Sequence, residues 1–516
     1  MLRFLLAAML ALMATPAAAG WLRADGPGFI AYSRGTEADL RARMLELQRF
    51  DTLARALTGL EPDPDVPPLT IYFLSRRDME RLNAGDLTAG FYTARPGVTF
   101  AALATDLNKR GTISTLFHEY THHFMFQHTR AAYPSWYVEG FAEYLSTARF
   151  EPDFIEFGQA DEGNVYQLTS GNWLSTKTLM TTPTHRIGGG VYAFYAQSWA
   201  MVHYLSRDPQ RLAALKRYLA LLTKGDKPEP AFAAAFGFTM DEFDLQVRRY
   251  VRGKRTSSTR LMTPPPAAAP VTITALPASA DALLVPSVRL STIGFAPLRK
   301  PRVYEEDDAR TAAYRRVLHT REGIARTTLL KTVREAAGAA SGDLGAQAVL
   351  AEAEVKLGDR AAGIKILDAG LAKAPKDAQL LYIRGITELE QAKALTGEDA
   401  AAARKRARQW LTRANAARPN DYRILAAHSA TYGTDMPSAA VDVLLSAADL
   451  APQVPAVQAS AALALARRGD RDAAKARLAP IAAAPHGGEA AVAAAALIAA
   501  IDRGETLAEI PVDLTD

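Results

Sequence analysis

Leu116-Phe117-His118-Glu119-Tyr120-Thr121-His122-His123 sets two histidines four residues apart, with a glutamate directly after the first. The pattern from Thr112 to Ser146 is helical and breaks at Tyr133-Pro134. On a helix, residues four apart project from one face, so His118 and His122 offer imidazoles to two adjacent corners of a tetrahedral metal site. Glu119 projects beside that face. It reaches a water at the metal without having to bind the ion, and the H-E-x-x-H spacing makes it the general base. His123 faces away from the ligand pair and is expected to be a structural or surface histidine. His128, six positions beyond His122, is expected at the surface.

Sixteen residues separate His122 from Glu139, which lies in Trp136-Tyr137-Val138-Glu139-Gly140-Phe141-Ala142-Glu143. Together the two segments resemble the gluzincin metallopeptidases, whose third zinc ligand is the glutamate of a W-x-x-E-G-x-A-E segment on the next helix. The resemblance spans about thirty residues. It implies one Zn2+ per chain held by His118, His122 and Glu139, Glu119 as general base for peptide-bond hydrolysis, and Glu143 supporting a ligand. Glu143 stands one helical turn from Glu139, where its carboxylate can accept the free N–H of a ligand histidine and fix its tautomer. Gluzincins commonly supply an oxyanion donor from a helix downstream. The candidates here are Tyr192 and Tyr195, which follow Gly188-Gly189-Gly190; Tyr195 is favoured, with His185 and His203 as weaker donors. In that family an edge strand before the first motif helix commonly pairs with the extended peptide, and the segment from Gly90 to Ala102 stands in the right order. The G-x-M-E-N segment with which the aminopeptidase branch captures a free N-terminus has no counterpart, so exopeptidase activity is not implied.

Working outward, Met1-Leu2-Arg3, the apolar run from Phe4 to Met13 and Ala17-Ala18-Ala19 form a signal-peptide pattern over residues 1–19. The expected protein is secreted or periplasmic, with no membrane span after cleavage. Residues 20–253 are expected to form the α+β domain. Glu37 to Leu60 has helical periodicity, Leu69 to Leu74 is strand-like, and Gly190 to Leu222 is helical with an interruption at Asp208-Pro209. Residues 254–303 hold eight prolines and are expected to be a stiff connector, with a short strand at Val271 to Thr274.

From 304 to 516 the chain is alanine-rich, helical and repetitive. Pro375, Pro419, Pro452 and Pro485 are spaced 44, 33 and 33 residues apart. Each is preceded at twelve residues by a small residue (Gly363, Ala407, Ala440, Ala473), and the first three at eight by Leu367, Leu411 and Leu444. Small residues at fixed offsets let paired helices approach, and a proline stops the second helix of each pair. The period resembles the tetratricopeptide repeat, although Arg477 and Pro480 break the last unit and residues 395–401 lengthen another. The expected fold class is therefore multidomain: an α+β zincin-like metallopeptidase domain followed by an all-α tetratricopeptide-like helical repeat domain that recruits a protein partner or substrate.

Composition sets limits. The 516 residues are 49% hydrophobic and 22% charged, enough to build sizeable cores. A net charge of +5, scattered along the chain, argues against a nucleic-acid partner. With no cysteine, disulfides, thiolate zinc ligands and thiol nucleophiles are excluded. Two other readings stay open: a catalytically silent scaffold whose repeats bind proteins, and a zinc hydrolase of a non-peptide amide.

Overall fold

The computed structural model describes residues 20–82, 88–106, 109–170, 173–182, 187, 190–253, 257–295, 309–484 and 487–505. Residues 1–19, expected to be a signal peptide, lie outside these, as do Gly188, Gly189, His185 and Pro485. In chain order the first part contains β1 (Leu22–Gly26), β2 (Phe29–Ser33), α1 (Glu37–Thr58), β3 (Leu69–Leu74), α2 (Arg76–Leu82), β4 (Gly90–Arg95), β5 (Val98–Ala104), α3 (Lys109–His128) and α4 (Ser135–Ser146). Next come β6 (Arg149–Phe150), β7 (Ile155–Phe157), α5 (Glu162–Ser170), α6 (Thr176–Thr181), α7 (Val191–Ser206), α8 (Pro209–Thr223), α9 (Pro228–Phe236), α10 (Met240–Arg252), β8 (Thr259–Leu261), β9 (Thr272–Ala275) and α11 (Ala280–Ser291). A long all-α region follows: α12 (Ala309–Ala339), α13 (Leu344–Leu357), α14 (Arg360–Lys373), α15 (Ala378–Lys393), α16 (Gly397–Ala417), α17 (Tyr422–Ala430), α18 (Ser438–Leu450), α19 (Pro455–Arg467), α20 (Arg471–Ala483) and α21 (Gly488–Asp502). No helix of the described residues is long and apolar enough to cross a membrane.

The N-terminal part is mixed α/β. Its main sheet has the order β4-β5-β3-β2-β1-β9, with β2, β3 and β5 mutually parallel and β4 antiparallel to β5 at one edge. Helix α1 starts where Thr36 accepts a hydrogen bond from the Asp39 N–H and stops at Gly59. Its apolar stripe, Leu40, Met44, Leu47 and Phe50, is buried against one sheet face. On the same side, α3 stacks Phe117 on Phe50 with ring centroids 4.1 Å apart. The opposite face is covered by α2 and α11 through Met79, Leu82, Val285 and Val288.

The described part of the expected connector, residues 257–295, does more than connect. β8 pairs with β7, β9 pairs with β1 in the main sheet, and α11 closes the second core. Proline density hid this because the prolines fall mainly between the elements, and Pro286 sits inside α11. The expected strand at Val271 to Thr274 coincides, within one residue, with β9.

In the all-α region, consecutive helices pack as pairs: α13 with α14, α15 with α16, α17 with α18, and α19 with α20. α14, α16 and α18 each end within two residues of Pro375, Pro419 and Pro452. Asp343, Asp359, Asp377 and Asp421 cap helix N-termini. The small-residue rule has a direct cause at Gly363, where a Cβ would lie 2.6 Å from Val355 Cγ1 and 3.0 Å from the Ala351 carbonyl oxygen. It fails at Ala473. That residue is exposed, and the buried stripe of α20 runs one position later through Ala474, Leu478 and Ile481.

Candidate metal centre

From Leu116 to Gln127, α3 is buried or half-buried around its whole circumference because it is packed on more than one side. Leu116, Phe117, Tyr120 and Phe124 are buried in the core shared with α1 and the sheet. His118 and His122 point toward α4, whose buried residues include Trp136, Val138, Glu139 and Ala142. α4 crosses α7 at very close range: a Cβ at Gly140 would lie 2.4 Å from the Ser198 carbonyl oxygen. Only glycine tolerates that approach, which sets Glu139 on one helix and Tyr195 on the other around the same point.

The three expected ligands converge. His118 Nε2 and His122 Nε2 are 3.1 Å apart, and each is 3.5 Å from Glu139 Oε2. Donors at tetrahedral zinc distances of about 2.0–2.1 Å are separated by about 3.3 Å, so two imidazole nitrogens and one carboxylate oxygen at these spacings fit a divalent ion. Glu139 is wholly buried. An ionised carboxylate in that setting is costly unless a cation or polar hydrogens compensate it, a role that a divalent ion held between the three donors would fill. Among the described residues, this triad is a group of metal-ligating side chains able to hold an ion.

Surrounding groups tune it. Burial by itself lowers the His118 pKa, but hydrogen bonds to Glu139 and Glu143, with the charges of Glu143 and Glu119, outweigh burial and hold it well above the ordinary value. His118 Nδ1 is 3.2 Å from Glu143 Oε1. Burial raises the Glu143 carboxyl, yet its contacts with His118 and Asn164 bring it below the usual carboxylate range. The Tyr195 ring lies 6.5 Å from that of His118. Burial first, then the nearby charges of Glu139, Glu143 and Glu119, push its hydroxyl far up, so it stays a hydrogen-bond donor. Tyr192, by contrast, is 71% exposed. Glu119 is half-buried on α3 between the two histidines.

His123 is a buried structural histidine, one of the two placements expected for it: Nδ1 lies 3.2 Å from the Tyr92 hydroxyl on β4, and burial lowers its pKa to about 3. His128 is half-buried under Arg55, whose guanidinium is 3.0 Å from its Nε2. His203 is away from the triad, held between the Tyr250 hydroxyl and the Ser257 carbonyl. One site residue was not foreseen. Asn164, buried at the start of α5, donates from Nδ2 to Glu143 Oε2 at 2.9 Å, and its own N–H is fixed by Asp161. A lone asparagine in Asp161-Glu162-Gly163-Asn164 gives no sequence signal; only the fold brings it to Glu143.

No protein-family model matches the chain, and no curated protein matches it. Among solved structures, a thermophilic TPR protein of Thermus thermophilus is similar at 18% identity, with 34% of this chain and 91% of that one covered and a TM-score of 0.31. MamA MSR-1 C2 is similar at 19% identity over 38% and 99%, with a TM-score of 0.23. Likeness at these scores carries no argument, and the helical repeats rest on the helix pairs themselves.

Proposed function

We propose that this chain is a secreted or periplasmic zinc metallopeptidase of the gluzincin type, with a zincin-like catalytic domain and tetratricopeptide-like repeats that engage a protein substrate or partner. The observation that carries the reading is the convergence of His118 Nε2, His122 Nε2 and Glu139 Oε2 within 3.5 Å, with Glu119 at the adjoining position of the same helix. The expected edge strand supports it: β4 is an antiparallel edge whose Tyr92 reaches His123 on the motif helix.

His118, His122 and Glu139 would hold the ion. When bound, zinc supplies Lewis-acid polarisation and a more acidic water. Glu119 accepts the proton of the attacking water and returns it to the leaving amine. Glu143, steadied by Asn164, accepts the His118 Nδ1–H and so presents the Nε2 lone pair inward. Tyr195 donates its hydroxyl hydrogen to the oxyanion that develops on the substrate carbonyl. The free edge of β4 aligns the peptide through backbone hydrogen bonds.

The test is cleavage of a peptide library by the zinc-loaded protein beside Glu119→Gln. The reading expects cleavage lost in Glu119→Gln while zinc is retained. Equal cleavage by both, or none by the zinc-loaded wild type, contradicts it.

A further inference from the structure

Among the described residues, β4 has a strand neighbour on one side only, β5. Its other edge offers the unpaired backbone groups on which an extended polypeptide adds as a further strand. β4 runs alongside the motif helix: Gly90 lies against Thr115, Tyr92 reaches His123, and Ala94 packs into the repeat cluster of Val441, Leu444 and Ala447. A chain laid on this edge runs beside the motif helix and, after about 20 Å, arrives at the tip of the β4–β5 hairpin.

That tip does not end in open solvent. Arg95, Pro96 and Gly97 border a cavity of about 1200 Å³ whose far walls come from α13, α15, α17 and α19. The two parts of the chain are fastened there: Tyr422 donates to the Arg95 carbonyl at 3.2 Å, Gln127 at the end of α3 donates to the Leu450 carbonyl at 3.2 Å, and Arg130 pairs with Asp449 at 2.6 Å. The repeats thus form a fixed continuation of the cleft.

We propose that this interdomain cavity is the distal half of a polypeptide-binding cleft, occupied by the stretch of substrate that continues from the strand on β4. The proposal rests on the metallopeptidase reading. The volume exceeds the roughly 300–1,000 Å³ of ordinary small-molecule pockets and suits several residues of chain. Its charged walls are partly self-compensated, Lys356 with Glu352 and Lys393 with Glu390. Arg423 and Arg468 pair with Asp421 and Asp442. Arg95 and Arg467 then outnumber Asp377, which caps α15, so the cavity favours a segment carrying acidic side chains.

The experiment uses the full-length, zinc-loaded Glu119→Gln protein and fluorescence anisotropy. The probes are a fluorescein-labelled six-residue peptide of mixed sequence and the same peptide extended by ten glutamate-containing residues on either its N- or its C-terminal side. One of the two extensions should tighten binding about tenfold. Ser460→Trp, at an exposed position of α19 lining the cavity, and Arg467→Glu should each remove most of that gain, with six-residue binding and zinc content unchanged. Extensions that add nothing, or a gain that survives both substitutions, overturn the proposal. If the zinc-loaded protein binds none of the peptides, the metallopeptidase reading itself fails, and the proposal with it.

Discussion

Gly140→Ala puts a methyl group where α4 meets α7. The added Cβ would lie 2.4 Å from the Ser198 carbonyl oxygen, 2.6 Å from its carbonyl carbon and 2.8 Å from Val202 Cγ2, about 1 Å short of ordinary contact. The first two atoms are backbone and cannot rotate aside, so the helices must separate. Overpacking of this kind costs about 1–3 kcal/mol, partly offset by up to about 1 kcal/mol of helix propensity. A net loss of about 1–2 kcal/mol lowers Tm by about 2–8 °C for a domain of this size. Zinc sites tolerate donor displacements of only about 0.2 Å, so moving Glu139 by half the overlap should weaken zinc at least about tenfold. Thermal unfolding and chelator competition read the two effects. Ala142→Gly, on the same helix and also buried, is the control, since it lowers helix propensity without a clash and should leave zinc affinity unchanged. Unchanged Tm and zinc affinity in Gly140→Ala would refute the claim that this close approach builds the site.

Three further outcomes follow, two from the site and one from His203 outside it. Asn164→Ala should weaken zinc by about 3–10-fold, as judged by chelator competition, with Tm nearly constant, because it steadies Glu143 without touching a ligand. Tyr195→Phe should lower kcat by about 10–1,000-fold with full zinc content, while Tyr192→Phe should behave as wild type. For His203, burial depresses the folded pKa to about 4, against about 6.5 unfolded. The neutral form is favoured in the fold, so its contribution is fully present above pH 6.5 and is lost as pH falls toward 4, by up to about 3 kcal/mol. Denaturation at pH 7 and pH 4.5 should show a smaller pH-dependent loss in His203→Gln than in wild type; equal losses would contradict the assignment.

Much of the site was legible because its chemistry is local. His118, Glu119 and His122 share one helix, so helical periodicity sets which of them share a face, while Glu139 on the next helix was legible only through the resemblance of Trp136 to Glu143 to the gluzincin segment. The strand at Leu69 to Leu74 and the proline stops of α14, α16 and α18 were legible for the same reason: alternation and ring geometry act within a few residues. What escaped is long-range. Asn164 meets Glu143 across 21 positions. β9 joins β1 about 250 residues away, from a segment whose prolines suggested a connector. The helix pattern left His123 as either structural or surface; contact with Tyr92 on β4, a neighbour set by sheet order, makes it structural. In α20, spacing from Pro485 pointed to Ala473, but packing against α19 and α21 selects the stripe one residue later.

The central claim is that His118, His122 and Glu139 hold one zinc ion. Its most direct test is the metal content of the mature protein beside His122→Ala, measured by elemental mass spectrometry after exhaustive dialysis, with circular dichroism confirming that both are folded. The account predicts close to one zinc per chain in the wild type and its loss in His122→Ala. A folded wild-type protein that holds no metal and takes up none from added zinc would contradict it.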